Sequence, residues 1–406
     1  MPLQLAPGRH RVAFEPAVHG FAFPNAFVNT VVTLPGGSAL TTAGRCGGMA
    51  ALALDHFHAG IPAPTWGPSL WAPSLVPPDG HWLAEAIQER QIRSFLVGSA
   101  LKFLTWSLQG DDPTWVLPGV ARRTEQEELP RLANLLRSGV PVVLGLIVAR
   151  DLRAVAENHQ VVAYGYEYDA VAGRTTILVH DPNTPRREVT LIGHDDTRGW
   201  VASNGRVWRG FFVHDYVRRE PPALTRSPAD PDRPIRLADT VVLVHAWTGR
   251  VLHGCDDRYD HHGSSGQHRV VADDAVDGTR WDLRPRHDRR GRSEEPGPLT
   301  SGDVVRLRLR GTDRHLHSHR NVASPLTHQQ EVSTFAERDR NDDWRVVVDG
   351  GGPWLAGSRV RFEHVPTGAA LQSHRRPDDH DSGGEQEVSA SSLTDPDGWW
   401  TVLEAD

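Results

Sequence analysis

The strongest constraint in this sequence is a threefold repeat in its second half. One segment reads Val242-Leu-Val-His245, then Thr248-Gly249 and Leu252-His253. A second reads Val305-Arg-Leu-Arg-Leu, then Leu316-His317-Ser318-His319. A third reads Val360-Arg-Phe-Glu-His364, then Thr367-Gly368 and Leu371-Gln-Ser373-His374. Each unit runs on to a glutamine (Gln267, Gln330, Gln386) and closes on a tryptophan before a short strand (Trp281, Trp344, Trp400), the tryptophans stepping by 63 and 56 residues. A single unit of this size cannot bury its apolar face, whereas three in succession close a common core. Three four-strand units with one interior Trp each predict an all-β β-trefoil over 235–406, with Leu252, Leu316 and Leu371 in its core.

Ahead of the repeats, 220–234 reads EPPALTRSPADPDRP, whose five prolines remove backbone donors and stiffen the chain. It divides 1–220 from 235–406, with 221–234 as linker, and 406 residues are more than one ordinary core accommodates. Upstream, helical and strand patterns alternate. Met49, Ala50, Ala53, Leu54 and Phe57 recur at three- and four-residue spacing and predict a helix from Cys46 to Gly60. Further helices are expected over 81–97 and 129–137, and strands over 140–149, 159–168 and 175–180.

The chemistry of the first half centres on a cysteine. A thiol is mostly protonated at neutral pH, and a helix N-terminus or a neighbouring imidazolium favours its thiolate. Cys46 stands at the head of the first predicted helix, beside Gly47 and Gly48, whose small size would let a substrate backbone approach. His159 opens one predicted strand, and Asp181 ends the next in an Asp-Pro-Asn turn. If those strands pair, Asp181 orients the His159 ring and stabilises its charged form. A buried small hydrophobe, a strand-edge histidine and a turn-capping aspartate are the bland alternatives.

The segment from about 20 to 215 resembles the papain-like superfamily of cysteine peptidases. The nucleophile position matches Cys46 in GRCGGMAALALDHF, the His-x-Val-x-x-x-Gly-Tyr strand matches His159, Val161, Gly165 and Tyr166, and the third member matches Asp181. The Asp-Pro-Asn ending is closest to the bacteriocin-processing bacterial branch. The resemblance implies an α+β papain-like domain with Cys46, His159 and Asp181 as catalytic residues. It departs from the family at Leu40, where an oxyanion-hole glutamine is usual; Asn25 is the candidate replacement, with Asn29 behind it. The repeats resemble the MIR domain, the trefoil of protein mannosyltransferases and of inositol-trisphosphate and ryanodine receptors, notably in Ser324-Pro-Leu-Thr, Gln329-Gln-Glu-Val-Ser and Asn341-Asp-Asp-Trp344. That resemblance implies a module for a glycan or protein ligand.

Together these give the expectation of a thiol-dependent hydrolase, a cysteine peptidase acting on peptide or isopeptide bonds of a peptide or protein substrate, with the trefoil recruiting its target. The alternatives are an inert papain-like scaffold acting as a binding or adaptor protein, and an acyltransferase using the same Cys46–His159–Asp181 site. No cofactor or metal is called for: the clusters His261-His262 and His315-Leu-His317-Ser-His319 fall on repeat positions, where alternation sends neighbours to opposite faces. A net charge of −7 argues against nucleic acid as partner. No apolar run is long enough for a membrane span, and the N-terminus has no signal-peptide core, so a cytoplasmic protein is expected unless a signal-less route exports it. Lys102 is the only lysine among 44 basic residues, a bias typical of GC-rich bacterial genomes.

Overall fold

A computed structural model of the chain describes residues 7–33, 39–113, 118–194, 199–222, 230–274, 279–286, 297–373 and 385–405. It divides into two units, Met1–Ala63 with Glu85–Ala223, and Pro64–Ala84 with Leu224–Asp406. Residues 223–229 of the proline-rich stretch lie outside the described residues.

The first unit contains β1 (Gly8–Arg11), β2 (Val28–Thr33), β3 (Ala39–Ala43), β4 (Val142–Ile147), β5 (His159–Asp169), β6 (Arg174–His180), β7 (Glu188–His194), β8 (Trp200–Ala202), β9 (Val207–Trp208) and β10 (Gly210–Val213). Strands β2 and β3 form a separate hairpin, and the rest make one antiparallel sheet in the order β10-β4-β5-β6-β7-β8-β9, with β1 on the far half of β5. The central strands read as continuous apolar runs because both faces are covered. Alternation sorts their side chains: Val143, Val162 and Tyr164 pack with Ala50, Ala53 and Leu54 of the helix Cys46–Ala59, while Leu144, Val161 and Ala163 pack with Leu132 and Leu136 of the helix Leu129–Arg137. Gly60 ends the Cys46 helix in the left-handed conformation (φ 70°), its N–H returned to the His56 and Phe57 carbonyls.

The α+β papain-like class expected for this region is corrected by the strand content. The chain is mostly β, and only four of its described helices reach eight residues, Cys46–Ala59, Trp82–Ser94, Ala100–Ser107 and Leu129–Arg137. The helices have clear apolar periodicity and dominate a reading by pattern. Strands β1, β8, β9 and β10 are two to four residues long and carry no pattern of their own; pairing makes them strands, β1 and β10 with the distant β5 and β4, β8 and β9 with each other and with β7.

The second unit contains β11 (Thr240–His245), β12 (Val251–Arg258), β13 (His268–Asp273), β14 (Arg280–Pro285), β15 (Val304–Leu309), β16 (His315–Ala323), β17 (Gln330–Phe335), β18 (Trp344–Val348), β19 (Val360–His364), β20 (Ala370–Ser373), β21 (Gln386–Ser391) and β22 (Trp400–Ala405). Pairings β11–β14, β14–β15, β15–β18, β18–β19, β19–β22 and β22–β11 close a six-stranded barrel. The hairpins β12–β13, β16–β17 and β20–β21 meet through β13–β17, β17–β21 and β13–β21 and cap one end. This is the β-trefoil. Its symmetry extends to single bonds: Trp281, Trp344 and Trp400 are fully buried, and their indole N–H groups donate to the carbonyls of Leu252, Leu316 and Leu371, each at 3.0 Å. Residues Pro64–Ala84 belong to this unit. Trp66 and Trp71 are buried against His81, and Trp82 Nε1 donates to the Gly249 carbonyl at 2.6 Å. These tryptophans are therefore packing residues of the second unit.

Candidate functional site

Cys46 is the first residue of its helix, half-buried, and the loop before it is tightly specified. Gly44 has φ 85°, and a Cβ there would lie 2.4 Å from Asn25 Nδ2, so both conformation and space require glycine. Asn25 Oδ1 accepts the Arg45 N–H at 2.6 Å, and the Asn25 N–H donates to the Pro182 carbonyl at 3.0 Å. Asn25 thus ties the cysteine loop to the turn after β6, with its side-chain carbonyl occupied by the Arg45 N–H. Asn29 and Leu40 lie in a segment whose side chains are outside the described residues. Gly47 and Gly48 are small because of their neighbours: a Cβ at Gly47 would meet Gln160 Oε1 at 2.6 Å, and one at Gly48 would meet the Ile87 carbonyl at 2.0 Å. Close packing, against the Gln160 side chain of β5 for Gly47 and against the Ile87 carbonyl for Gly48, explains the pair.

His159 begins β5 and Asp181 follows β6, and these strands pair, with Val162 opposite His180. The His159 Nε2 lies 2.7 Å from Asp181 Oδ1, and the ring also hydrogen-bonds the Cys46 thiol. The structure therefore brings the three sequence-derived residues together. Asp181 is fixed by further donors: the Asn183 N–H to Oδ1 and Asn204 Nδ2 to Oδ2, both at 2.8 Å. Trp208 stacks on the His159 ring, with centroids 5.9 Å apart and planes within 13°. Asn183 was visible in the Asp-Pro-Asn turn, which offers a backbone N–H two residues on. Asn204 and Trp208, 23 residues beyond Asp181 and 49 beyond His159, had no local signal; only the folding of β8 and β9 beside β7 delivers them.

Burial opposes charge at all three groups, yet the charges sustain one another. Burial raises the Cys46 thiol, but the His159 charge and hydrogen bond outweigh it and bring the thiol below its ordinary value. Burial lowers the His159 imidazole, but Cys46 and Asp181 reverse this and raise it to about 10. Burial raises Asp181, but the His159 hydrogen bond and charge, with the Asn183 and Asn204 donors, hold it at about 2. The arrangement stores a thiolate–imidazolium pair. The other cysteine, Cys255 in β12, is pushed by burial to about 12.

A closed barrel with its hairpin cap and one hydrogen-bonded indole per repeat defines the second unit as a β-trefoil module. The chain is 32% identical over 177 residues to a stromal cell-derived factor 2-like protein of Arabidopsis thaliana, covering 42% of this chain and 78% of that protein. It belongs to the stromal cell-derived factor 2-like family. It is also 30% identical over 175 residues to protein O-mannosyl-transferase 2 of Drosophila melanogaster, covering 39% of this chain and 22% of that protein. Among solved structures, the crystal structure of the Arabidopsis thaliana SDF2-like protein matches 43% of this chain and 96% of its own, at 32% identity and a TM-score of 0.39. No family model matches the chain. The MIR-like part of the sequence expectation fits these relatives. The papain-like cysteine peptidase does not: family membership overturns the expected hydrolase, cysteine-protease activity and peptide-cleaving function, and favours a binding or adaptor role. Among the described residues no helix is long and apolar enough to cross a membrane.

Proposed function

We propose that the chain is a non-hydrolytic binding protein whose trefoil holds a glycan, with the first unit as an attached scaffold. The observation that carries this reading is the family membership, because the share of the chain matched by its relatives equals the trefoil in extent. A trefoil has little to do chemically beyond presenting clefts between its repeats, and such clefts bind by placing a few polar groups around a shaped hollow. The Cys46–His159–Asp181 group is a reactive thiol centre within the scaffold, able to form a covalent bond with an electrophile, and it is separate from the glycan-binding role. The test is a glycan array probed with the full chain and with Cys46→Ser. Retention of a defined set of glycans by both proteins is the expected result. A full chain that retains none, while circular dichroism shows its β structure intact, overturns the reading.

A further inference from the structure

The first unit carries an apolar surface that nothing in its own fold uses. Among the described residues, six of the sixteen exposed large apolar side chains fall within 92–108: Ile92, Phe95, Leu96, Leu101, Leu104 and Leu108, between 44% and 77% exposed. The described residues of the second unit expose only Leu75 and Leu326 in this class. Ile92 lies in the last turn of the helix Trp82–Ser94, and Phe95 follows one tight turn on, its N–H bonded to the Ile92 carbonyl at 3.1 Å. Leu101, Leu104 and Leu108 recur at three- and four-residue spacing along one face of the helix Ala100–Ser107 and its C-cap. The opposite face of that helix is apolar as well: Phe103 and Trp106 are buried with Val120, Ile147 and Phe212. A helix that is apolar all round is ordinarily covered on both sides. Even Thr105, the polar residue of the outer face, turns its hydroxyl back to the Leu101 carbonyl at 3.1 Å. Exposed Val217 extends the surface, since it lines the same hollow as Leu96.

The size of the face fits one kind of occupant. At roughly 200 Å² for a fully exposed side chain of this class, the six present about 700 Å² of surface. Monomers rarely expose a contiguous apolar patch beyond about 300–600 Å². Pairing the face with an identical one would remove about 1,400 Å² from water, within the roughly 1,200–2,000 Å² of a stable interface. Charge points the same way. The four charged residues between 89 and 108 are all matched within the chain: Glu89 with Arg93 at 2.8 Å, Arg90 with Asp55 at 2.8 Å, and Lys102 with Glu128. The face thus offers no free charge to an acidic or basic partner, nor the lysine and arginine fringe that draws a helix to an anionic membrane. A neutral apolar face is complementary to another of its kind, and a two-fold axis sets the two together. We propose that Ile92, Phe95, Leu96, Leu101, Leu104 and Leu108 form the interface of a homodimer, in which two copies of the chain pair through their first units.

The experiment is sedimentation velocity on the full chain, in reducing buffer, from about 1 to about 100 µM. A concentration-dependent shift from one chain to two is expected. Leu96→Glu and Leu101→Glu each set a carboxylate into the apolar interface, twice by symmetry, and should raise the dimer dissociation constant at least about tenfold. Both side chains are exposed in the single chain, so the thermal transition should hold; where one variant loses it, the other serves. Leu326→Glu, at an exposed apolar position of the trefoil, should leave the dimer unchanged. Flotation with phosphatidylcholine–phosphatidylglycerol vesicles tests the other cover for an apolar face, and no binding is expected. A chain that stays monomeric throughout, a dimer that survives both glutamate variants, or vesicle binding that either variant abolishes overturns the proposal.

Discussion

The thiol centre makes a quantitative prediction about the two cysteines. Cys255 is pushed to about 12, so its thiolate fraction at pH 7 is about 10⁻⁵. Cys46 lies below 9.0, which puts its thiolate fraction above about 10⁻², a ratio of at least about 10³ in its favour. A more acidic thiolate is a poorer nucleophile, and with a Brønsted slope of about 0.4–0.5 over roughly three pK units this returns a factor of about 20. Cys46 should therefore alkylate at least about 40 times faster than Cys255 at pH 7, before the near-complete burial of Cys255 slows it further. The assay is iodoacetamide labelling of the native chain from pH 5 to 9, with mass spectrometry of the two cysteine peptides. The Cys46 rate should level off at lower pH than the Cys255 rate, because the imidazolium beside it lowers its thiol and its thiolate forms first. In His159→Ala the imidazolium is gone, burial alone then acts on the thiol, and the Cys46 rate at pH 6 should drop at least about tenfold. Equal rates for the two cysteines, or a Cys46 rate that climbs tenfold per unit through pH 9, would refute the ion pair.

Other outcomes follow from the same geometry. Asp181 is held at about 2 against an ordinary 3.8, so it contributes stability above pH 4 that is lost as pH falls toward 2; Asp181→Asn should remove on the order of 2 kcal/mol at pH 6 and flatten the acid limb of urea-denaturation midpoints. Trp344→Phe leaves the Leu316 carbonyl without its donor and should cost about 2–4 kcal/mol, with Trp281→Phe and Trp400→Phe costing the same within about 1 kcal/mol, measured by hydrogen exchange of the barrel strands. Gly48→Ala places a methyl 2.0 Å from the Ile87 carbonyl and should lower stability by about 1–3 kcal/mol or more in thermal denaturation. Glu387→Ala removes the acceptor for the Leu326 and Thr327 amides, which should exchange at least about tenfold faster while the barrel amides keep their protection.

The trefoil was legible because a repeat states the same instruction three times. One Leu–Trp pair could be accidental, whereas three at matched spacing specify a closed core, and the indole-to-carbonyl bond makes the pairing chemical as well as apolar. Cys46, His159 and Asp181 were legible as a group because each begins or ends a regular element, where side chains are aimed by secondary structure alone. Their functional meaning was not legible, since the same three residues fit a peptidase and a scaffold equally well. The strand content of the first unit was underread because β1 and β10 gain their pairing from distant chain.

The pairing of β22 with β11 also fixes when the second unit can become stable during synthesis. Thr240 to His245 must wait for Trp400 to Ala405 before the barrel has no open edge, some 160 residues of chain later. Until then a nascent chain presents β11 and β19 as unpaired edges, open to mispairing with another nascent chain. Closure over so long a loop makes the native contacts non-local and the folding slow. The last six strand residues thus act as a latch, and a ribosome that stalls before them leaves a barrel that cannot shut.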